Sequence, residues 1–474
     1  MLEGLIVLER SGAPLPEQIY RAVGEAARVG RLRAGTVLPS SRQLATGLGI
    51  SRNSVNAAYE LLRADGVIAV RAGAAPQVVA RAELEAAQLD EAGPGIGLSQ
   101  RGRALARDLR QWQGGRHAGQ LEPGAPDENL FPADLWARTL RRVARQKFGD
   151  AANYADVDGL PRLKLALADH LARHRGVSAT PNQIIMVPSI QAGLSLMAHC
   201  LADPGEAGFV ESPGYFGART AFAGAGLLTK ALEVDAQGAD PAALAGSGAR
   251  LVYVTPSHHY PTGARMNLQR RMDLLEAARR EGAMVLEDDY DSEFMWQGRA
   301  IAALQGISRG GEVIYFGTTA KSLLPGLRLA YMVVPEPLVG SLKQAQRNMG
   351  LRVNIHAQAA YAELIESGAL VTHLKRIARL YEERGRLLVQ TLRQRLGDSI
   401  EIAMPMGGLQ TVIGFADSID DTTVAARLAK EGFETPALSS YCAGEKRKGL
   451  VVGFADATEK RMARFARLLE GLLD

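Results

Sequence analysis

Short apolar runs recur from Leu121 onward, alternating with stretches that have the spacing of amphipathic helices. The runs are IIMVP, AGFVES, ARLVYVTP, AMVLEDDY, EVIYFGT and LAYMVVP. Strands that are apolar along their whole length must be covered on both faces. The alternation therefore predicts a largely parallel sheet with helices on its two faces. Ligands of such sheets bind where loops leave the strand ends.

Side chains capable of chemistry stand at these predicted strand ends. VLEDDYDSEF places Asp288 and Tyr290 after one run, and VESPGYF places Tyr215 after another. PSIQAGLSLMAHCL predicts a turn entering a helix, and a helix N-terminus can hold an anion. Lys321 lies in GTTAKSLLPGLRLAY and is followed by Arg328. A lysine holding an aldehyde cofactor would need such neighbours: anion ligands, an acid beside a ring nitrogen, a phenol and an aromatic face.

Each of these residues taken alone has an ordinary explanation. A single lysine is normally a surface charge, and the carboxylates around Asp288 could be a solvated strand end or a metal site. His170 and His174 lie four apart on a predicted helix, but the sequence offers no evident third ligand. The order of the motifs along successive strand ends argues against the ordinary explanations for the whole set. We predict no metal site.

The N-terminal residues 1–80 have the pattern of a different module. Ser40 and Gln43 form a predicted capping box ahead of one helix, which Gly49 ends. Ser51 begins a second helix with apolar residues at helical spacing, and a turn and a short strand follow. This succession predicts a winged helix-turn-helix, whose second helix would enter the major groove of DNA.

Charge is unevenly distributed in this module. Six arginines lie from Arg28 to Arg63, where Glu60 is the only acid, although the net charge of all 474 residues is only +4. Such a patch can neutralise phosphates, and Arg and Asn side chains can bond to base edges. An ordinary helical hairpin with a solvated polar face would show the same pattern. From the residues alone, both interpretations stay open.

The stretch LPSSRQLATGLGISRNSVNAAYELLRADGVI resembles the winged-helix domain of GntR-type bacterial regulators. The most specific part of the resemblance is LPSSRQLA followed by SRNSV. The resemblance implies DNA contacts by Arg42, Ser51, Arg52, Asn53 and Asn56. RAGAAPQVV lacks the aromatic residue of the family's wing and contains Pro76, so the wing departs from the family pattern.

Residues 81–120 are rich in Ala, Gly, Gln and Arg, which predicts a flexible linker containing at most one short helix. No apolar run reaches about 18 residues, so no membrane span is expected. The start of the chain lacks the features of a secretory signal. Two cysteines, Cys200 and Cys442, are too few for a disulfide framework. These features predict a cytoplasmic protein.

The motifs of residues 121–474 resemble the fold-type I aminotransferases that use pyridoxal phosphate. PSIQAGL, ESPGYF, TPSHHYPTG, EDDYDSEF and GTTAKSLLPGLRLAY carry this resemblance. Together with the N-terminal motif, they resemble the MocR subfamily of GntR regulators, and the resemblance covers nearly the whole chain. It implies an α/β large domain of the aminotransferase fold with a C-terminal α+β subdomain, joined to an N-terminal winged helix-turn-helix.

The same resemblance assigns roles to the residues at the strand ends. It implies that Lys321 forms the internal aldimine with pyridoxal phosphate, that Asp288 pairs with the pyridine nitrogen and that Tyr290 pairs with the ring hydroxyl. Tyr215 would stack on the ring. Tyr154 corresponds to a tyrosine that reaches the phosphate from the neighbouring subunit of a head-to-tail homodimer. The implied phosphate ligands are Ser189, Ile190, Gln191, Thr318 and Arg328.

The phosphate turn and the lysine motif depart from the family pattern. Ser189 stands where glycine is usual, Ile190 where a hydroxyl residue is usual and Ala320 where serine is usual. Tyr260 stands where this subfamily usually has phenylalanine. A side chain at the glycine position predicts a strained turn. We therefore expect weaker cofactor binding than in close relatives.

These features predict a transcriptional regulator that binds double-stranded operator DNA with repeated half-sites. Its large domain would sense pyridoxal phosphate or a small amine or amino-acid effector. Arg447 is a candidate for binding an effector carboxylate, and His258 is a second candidate effector contact. Two alternatives stay open: an active aminotransferase with an accessory domain, and a regulator whose large domain is a cofactor-free dimerisation scaffold.

Overall fold

A computed structural model describes residues 2, 5, 6, 8, 13–70, 75–79, 97–106, 120–153, 158–296 and 301–473. The chain divides into two compact units, Met1–Gly97 and Leu98–Asp474. None of the helices in these ranges is long and apolar enough to cross a membrane.

The N-terminal unit is a helix-turn-helix followed by a two-stranded antiparallel sheet. Its elements are α1 (Leu15–Arg28), α2 (Ser41–Leu48), α3 (Arg52–Ala64), β1 (Ile68–Ala69) and β2 (Gln77–Val78). The predicted capping box is confirmed, because Ser40 Oγ accepts a hydrogen bond from Gln43 N and Gln43 Oε1 accepts one from Ser40 N. Gly49 ends α2 in the left-handed conformation. Residues 71–74 of the expected wing lie outside the described residues.

One apolar core holds the three helices of this unit together. Ile19, Leu44, Val55 and Leu62 are fully buried in it, and Ile68 and Val78 of the two strands belong to the same cluster. The apolar spacing along α2 and α3 places these side chains on the inner faces of the helices. The polar side chains of both helices are thereby left on the outside.

An eight-stranded sheet forms the centre of the second unit. Its strands are β3 (Ile184–Val187), β4 (Ala207–Ser212), β5 (Leu228–Asp235), β6 (Gly238–Ala239), β7 (Ala249–Val254), β8 (Met284–Asp288), β9 (Val313–Thr318) and β10 (Ala330–Val333). Their order is β3-β10-β9-β8-β7-β4-β5-β6. The five strands from β9 to β5 are mutually parallel, whereas β10, β3 and β6 pair antiparallel with their neighbours. The largely parallel sheet that the apolar runs predict is confirmed.

Helices cover both faces of this sheet. The helices of the unit up to its C-terminal subdomain, some of which pack on other helices, are α4 (Gln100–Ala106), α5 (Ala133–Val143), α6 (Pro161–Arg175), α7 (Ile190–Leu201), α8 (Phe216–Ala225), α9 (Leu268–Glu281), α10 (Leu304–Ile307), α11 (Val339–Asn348), α12 (Ile355–Glu366) and α13 (Ala369–Leu396). Successive residues of a strand point to opposite faces. Accordingly, Tyr253 packs in the cluster around α7 and α8, whereas Val252 and Val254 pack in the cluster around α9.

Helix α4 falls within the predicted linker and packs against α8. Residues 81–96 and 107–119, which make up most of that linker, lie outside the described residues.

A smaller α+β subdomain follows α13, as the family resemblance implies. It contains β11 (Glu401–Ile402), β12 (Gln410–Gly414), α14 (Asp421–Lys430), α15 (Leu438–Tyr441), β13 (Gly449–Gly453) and α16 (Glu459–Leu473). The three strands form an antiparallel sheet with β12 in the middle.

Helix α7 lies close against the sheet because Gly193 has no side chain. A Cβ atom at this position would come within 2.8 Å of Phe316 Cε1 and 3.0 Å of Met332 Sδ. Both contacts are with buried side chains of neighbouring strands. The close packing fixes the position of the N-terminus of α7, which begins directly after β3.

We expect Gly193→Ala to lower the free energy of unfolding by about 1–3 kcal/mol, because the new methyl group overpacks the interface between α7 and the sheet. Gly340→Ala is the matched control in α11, where nothing lies within 4 Å of the added atom. This control should be neutral or stabilising by up to about 1 kcal/mol. Urea unfolding followed by tryptophan fluorescence measures both changes. Equal effects of the two substitutions would contradict the packing argument.

Candidate functional site

A cavity of about 1010 Å³ lies at the ends of β7, β8 and β9, beside the N-terminus of α7. The structure brings to its wall nine of the residues that the sequence assigns to a cofactor. They are Ser189, Ile190, Gln191, Tyr215, Asp288, Tyr290, Thr318, Lys321 and Arg328. Tyr154, the tenth, lies outside the described residues.

Lys321 follows the end of β9 and extends into the cavity. Its Nζ donates a hydrogen bond of 2.6 Å to the carbonyl oxygen of Gly124. Gly124 has a φ of 70°, and a Cβ there would lie 3.2 Å from Lys321 Nζ, so glycine suits this close approach. Thr318 Oγ1 accepts a hydrogen bond from Ala320 N and shapes the turn before the lysine.

Asp288 ends β8 and is buried, with one of its oxygens unsatisfied. The Tyr253 hydroxyl donates a hydrogen bond of 2.8 Å to Asp288 Oδ2, whereas Oδ1 has no hydrogen-bond partner. Burial raises the pKa of Asp288 to about 7, against the lowering effects of the Tyr253 hydrogen bond and of the charge on Lys321. A buried polar atom without a partner costs free energy, so this oxygen is suited to a ligand that can donate a proton or a hydrogen bond.

Tyr290 lies beside Asp288 and is held from two sides. Gln410 of β12 donates a hydrogen bond of 2.9 Å from Nε2 to the Tyr290 hydroxyl oxygen, and His258 Nδ1 lies 3.3 Å from the same oxygen. Burial raises the pKa of Tyr290 well above its ordinary value, so the phenol keeps its proton at neutral pH. His258 Nδ1 also lies 2.8 Å from Asp291 Oδ2. The structure thus places His258 behind Tyr290, not among the residues that line the cavity.

The other end of the cavity has the features of an anion site. Ser189 caps α7, and its Oγ accepts a hydrogen bond from Ala192 N at 3.1 Å. Arg328 Nη2 lies 3.4 Å from Ser189 Oγ. The free N–H groups at the start of α7 and a guanidinium beside them favour negative charge. Arg328 itself has a φ of 52°, a left-handed conformation that is costly for a residue other than glycine and is characteristic of functional sites.

The expectation of a strained phosphate turn is wrong. Ser189 has a φ of −167° and a ψ of 162°, which is extended backbone that any residue can adopt. The side chain at the glycine position therefore causes no backbone strain, and it supplies the helix cap described above. The family's glycine is not needed for this turn geometry.

Aromatic side chains form one wall of the cavity. The ring centroid of Tyr215 lies 6.2 Å from that of Tyr253 and 6.0 Å from that of Tyr260. Tyr441 lies 5.7 Å from Tyr260 and 4.3 Å from Phe216. Tyr215 is thus placed to offer a ring face to a flat ligand near Asp288.

The carboxylates next to Asp288 are neither solvated nor arranged for a metal. Arg175 forms two hydrogen bonds to Asp289, of 2.6 and 3.1 Å, and Tyr315 donates a third. Although burial alone would raise it, the pKa of Asp289 is lowered by these partners. Glu287 accepts hydrogen bonds from the backbone N–H groups of residues 304 and 305. The residues that the structure describes contain no group of three or more potential metal ligands.

Arg447 is not brought to the cavity. Its guanidinium donates a hydrogen bond to the carbonyl oxygen of Val234 in β5, and it is not among the lining residues that the structure describes. Its predicted role in binding an effector carboxylate stays a prediction without geometric support.

Three residues of the site could not be singled out from the sequence. Gly124 accepts the Lys321 hydrogen bond across 197 positions, and Gln410 reaches Tyr290 across 120 positions. Tyr253 lies in an apolar run, and nothing in the sequence distinguishes it from the other residues of that run. Only the structure shows that its hydroxyl donates a hydrogen bond to Asp288. The one available signal was a polar residue inside the apolar run LQTVIG, which contains Gln410.

The predicted DNA-contacting residues lie on the outer face of the N-terminal unit. Arg42, Ser51, Arg52, Asn53 and Asn56 are all exposed. Ser51 Oγ also caps α3 by accepting a hydrogen bond from Ser54 N at 3.2 Å. The N-terminus of α3 therefore presents Arg52, Asn53 and its own N–H groups on one exposed surface.

The fold and the site define an aminotransferase-like domain carried on the same chain as a winged helix-turn-helix. Residues 123–468 match the family described as aminotransferase class I and II, and residues 15–78 match bacterial regulatory proteins of the gntR family. In structure, the large unit resembles the multiple substrate aminotransferase of Thermococcus profundus. The TM-score is 0.72 at 23% identity, over 79% of this chain and 97% of that one.

Two regulators are similar along nearly the full length of the chain. The probable rhizopine catabolism regulatory protein MocR of Rhizobium meliloti is 35% identical over 97% of this chain and 94% of its own length. The pyridoxine biosynthesis transcriptional regulator PdxR of Corynebacterium glutamicum is 32% identical over 94% of this chain and 92% of its own. The chain belongs to the MocR subfamily of GntR regulators, and it is a transcription regulator with an aminotransferase-like domain.

The raised pKa of Asp288 predicts how stability depends on pH in the cofactor-free protein. The folded value of about 7 exceeds the ordinary 3.8, so the folded protein binds this proton more tightly than the unfolded chain does. The contribution of Asp288 to the free energy of unfolding therefore falls as pH rises from about 4 to 7 and is constant above that. We expect Asp288→Asn, which cannot ionise, to gain stability relative to the wild type over this range. The gain should be on the order of 1.4 kcal/mol per pKa unit.

Urea unfolding at several pH values measures this difference. The charge on Asp288 also raises the pKa of the buried Glu211, so the measured difference includes the loss of this repulsion in Asp288→Asn, which has the same sign. Asp289→Asn is the contrasting variant, because it leaves Arg175 without its carboxylate and should destabilise the protein throughout the neutral range. A difference between wild type and Asp288→Asn that does not change with pH would contradict the raised pKa.

Proposed function

We propose that this regulator binds pyridoxal phosphate in the cavity and uses it to sense a small amine. The observation that carries the proposal is the buried and unpartnered Oδ1 of Asp288. This acceptor belongs to a cavity that also contains the Lys321 amine and, at the other end, the N-terminus of α7 with Arg328. A proton-donating ring nitrogen, an aldehyde and a phosphate on one ligand would satisfy all three.

The residues of the cavity fit this cofactor group by group. Bound pyridoxal phosphate supplies an aldehyde carbon that can exchange one amine for another and a ring that withdraws electrons. Asp288 would share a proton with the ring nitrogen, and Tyr290 would donate a hydrogen bond to the ring oxygen. Tyr215 would cover one ring face. The phosphate ligands would be Ser189, Ile190, Gln191, Thr318 and Arg328.

Lys321 would be the point of exchange. Its Nζ donates a part-buried hydrogen bond to the carbonyl oxygen of Gly124. Lys321 Nζ would hold the cofactor at its aldehyde carbon, and it would be able to return to Gly124 O when another amine takes its place. Gly124 would then receive the displaced ammonium group, so the exchange would leave no buried charge without a partner.

Gln410 gives a route by which such an exchange could reach the rest of the protein. It lies on the middle strand of the C-terminal subdomain and donates its hydrogen bond to Tyr290 of the large sheet. An effector that changes the position of Tyr290 would therefore bias the position of β12. The regulator would bind repeated operator half-sites as a head-to-tail homodimer, and the effector would shift DNA affinity through its differential affinity for two states.

The relatives support a link to small-molecule metabolism, since their names describe regulators of rhizopine catabolism and of pyridoxine biosynthesis. An active aminotransferase is the second candidate, favoured by the presence of Lys321, Asp288 and Tyr290 in one cavity. Turnover of amino donors at about 1 per second or faster would identify an enzyme. Spectral change without turnover would identify a sensor.

We expect Arg52→Ala to weaken operator binding by about tenfold or more, because a base-edge contact is worth about 1–3 kcal/mol. Arg63→Ala removes the same charge from the last turn of α3, where Arg63 faces Glu60 at 3.5 Å. It should weaken binding by less than about threefold, since it removes only a long-range attraction. Fluorescence anisotropy with operator and with random DNA at fixed salt measures both. Equal losses on both DNAs would indicate electrostatic attraction without recognition.

We expect the purified wild type to show a visible absorption band that borohydride abolishes. Lys321→Ala should lack this band and should not respond to amines, because no side-chain amine remains to attach the cofactor. Its operator affinity without effector should stay within about twofold of the wild type. A wild type that stays colourless after addition of pyridoxal phosphate would support the cofactor-free scaffold. Normal effector response in Lys321→Ala would rule out the exchange mechanism.

A further inference from the structure

The cavity wall keeps several charged groups after the cofactor residues are set aside. Lys321 and Arg328 are the only cationic side chains among the lining residues that the structure describes. The proposed cofactor would engage both of them. The carboxylates of Glu128 and Glu434 line the same cavity and are not needed for the cofactor. What remains for an effector is therefore acidic.

Glu434 is the carboxylate in the most defined position. Gln120 N donates a hydrogen bond to Gly432 O at 3.0 Å, and Glu434 N donates one to Gln120 O at 2.9 Å, so the two segments run side by side. The first segment continues to Gly124, whose carbonyl holds Lys321 Nζ. Glu434 thus lines the cavity next to the segment that leads to Gly124.

The Glu434 carboxyl group is half-buried, and no described residue pairs with it. Two other acids of the C-terminal subdomain, Glu431 and Asp421, lie outside the cavity lining, and both have cationic partners within 4 Å. Burial raises the pKa of Glu434, which is the effect of partial desolvation without a nearby cation. A half-buried carboxylate without a cationic partner is stabilised when the ammonium group of a ligand pairs with it.

A second acceptor without a partner lies close by. Gln410 is buried, and its Nε2 is used by Tyr290, but its Oε1 has no hydrogen-bond partner. This oxygen approaches Gly124, where a Cβ would lie 3.8 Å from Gln410 Oε1 and 3.2 Å from Lys321 Nζ. The residues around Lys321 Nζ therefore offer hydrogen-bond acceptors to a ligand that carries hydrogen-bond donors.

The tyrosine rings of the aromatic wall also favour a positively charged ligand. The ring centroids of Tyr260 and Tyr441 are 5.7 Å apart and meet edge to face, and Tyr215 meets Tyr260 in the same way. The faces of such rings attract ammonium groups and disfavour carboxylates.

Three cationic side chains from segments that contribute to this wall bind backbone carbonyl oxygens and do not line the cavity. Arg447 binds the carbonyl oxygen of Val234, and Lys446 Nζ binds those of Ser439 and Cys442 at 3.0 and 2.8 Å. Arg219 Nη2 donates to the carbonyl oxygen of Ser440 at 3.1 Å. None of the three belongs to the described lining. The described wall therefore offers no second cation that could receive an effector carboxylate.

We infer that the effector is a cationic amine without a carboxylate, such as a diamine, and that Glu434 and the aromatic wall recognise its second positive group. This inference rests on the proposed cofactor-based sensing and specifies which class of amine the cavity accepts. It departs from the expectation that Arg447 binds an effector carboxylate.

Three ligands test the inference because they share a primary amine and a five-carbon chain and differ only at the far end. Cadaverine ends in an ammonium group, pentylamine in a methyl group and δ-aminovalerate in a carboxylate. Each is titrated against the full-length protein loaded with pyridoxal phosphate. The visible spectrum and operator affinity are followed together. We expect cadaverine to bind about tenfold more tightly than pentylamine, and δ-aminovalerate to bind most weakly.

Glu434→Gln should remove most of the advantage of cadaverine over pentylamine. Glu431→Gln is the matched control, because it removes the same charge three residues earlier from an exposed side chain that pairs with Arg464 outside the cavity. The Glu431→Gln control should bind the three ligands in the same order of affinity as the wild type. Binding of δ-aminovalerate as tightly as cadaverine would overturn the inference, as would an unchanged preference in Glu434→Gln.

The wild-type ligand series tests the inference even if Glu434→Gln does not fold. A wild type without any cofactor band would refute the proposed function, and the inference with it. A normal cofactor band together with tighter binding of δ-aminovalerate would refute the inference alone.

Discussion

The Tyr253 hydroxyl donates a hydrogen bond of 2.8 Å to Asp288 across the neighbouring strands β7 and β8, and the site is arranged around this pair. A buried carboxylate is costly unless donors surround it. Here one oxygen is satisfied and the other is not. The parallel register of β7 and β8 places the donor beside the acid. The fold thereby maintains a buried acceptor that only a ligand can satisfy.

Among the three successive acids Glu287, Asp288 and Asp289, the fold leaves only one carboxylate oxygen without a hydrogen-bond partner. Asp289, one position further, is paired with Arg175 and Tyr315, and Glu287 is bound by backbone N–H groups. Each of these carboxylates has the partners that burial requires. Asp288 alone among the three has an oxygen without a partner. The run EDDY therefore combines two structural carboxylates with one that is available for binding.

The two ends of the cavity have opposite electrostatic character. Near α7, a helix N-terminus, the capping hydroxyl of Ser189 and Arg328 favour an anion. Near the C-terminal subdomain, Glu434, the free Oε1 of Gln410 and tyrosine rings favour a cation. This polarity suits an anionic cofactor at one end and a positively charged effector at the other.

The sequence by itself determined the elements and most of the site, because apolar runs, caps and strand-end residues are local patterns. The parallel sheet, the helix-turn-helix and the position of Lys321, Asp288 and Tyr290 at strand ends all followed from them. Only the tertiary structure decided which distant residues complete the site. Gly124 and Gln410 meet Lys321 and Tyr290 through packing of separate segments, and no local pattern encodes such a meeting. It also decided that Ser189 is unstrained and that Arg447 points elsewhere, because backbone angles and side-chain direction depend on neighbours far along the chain.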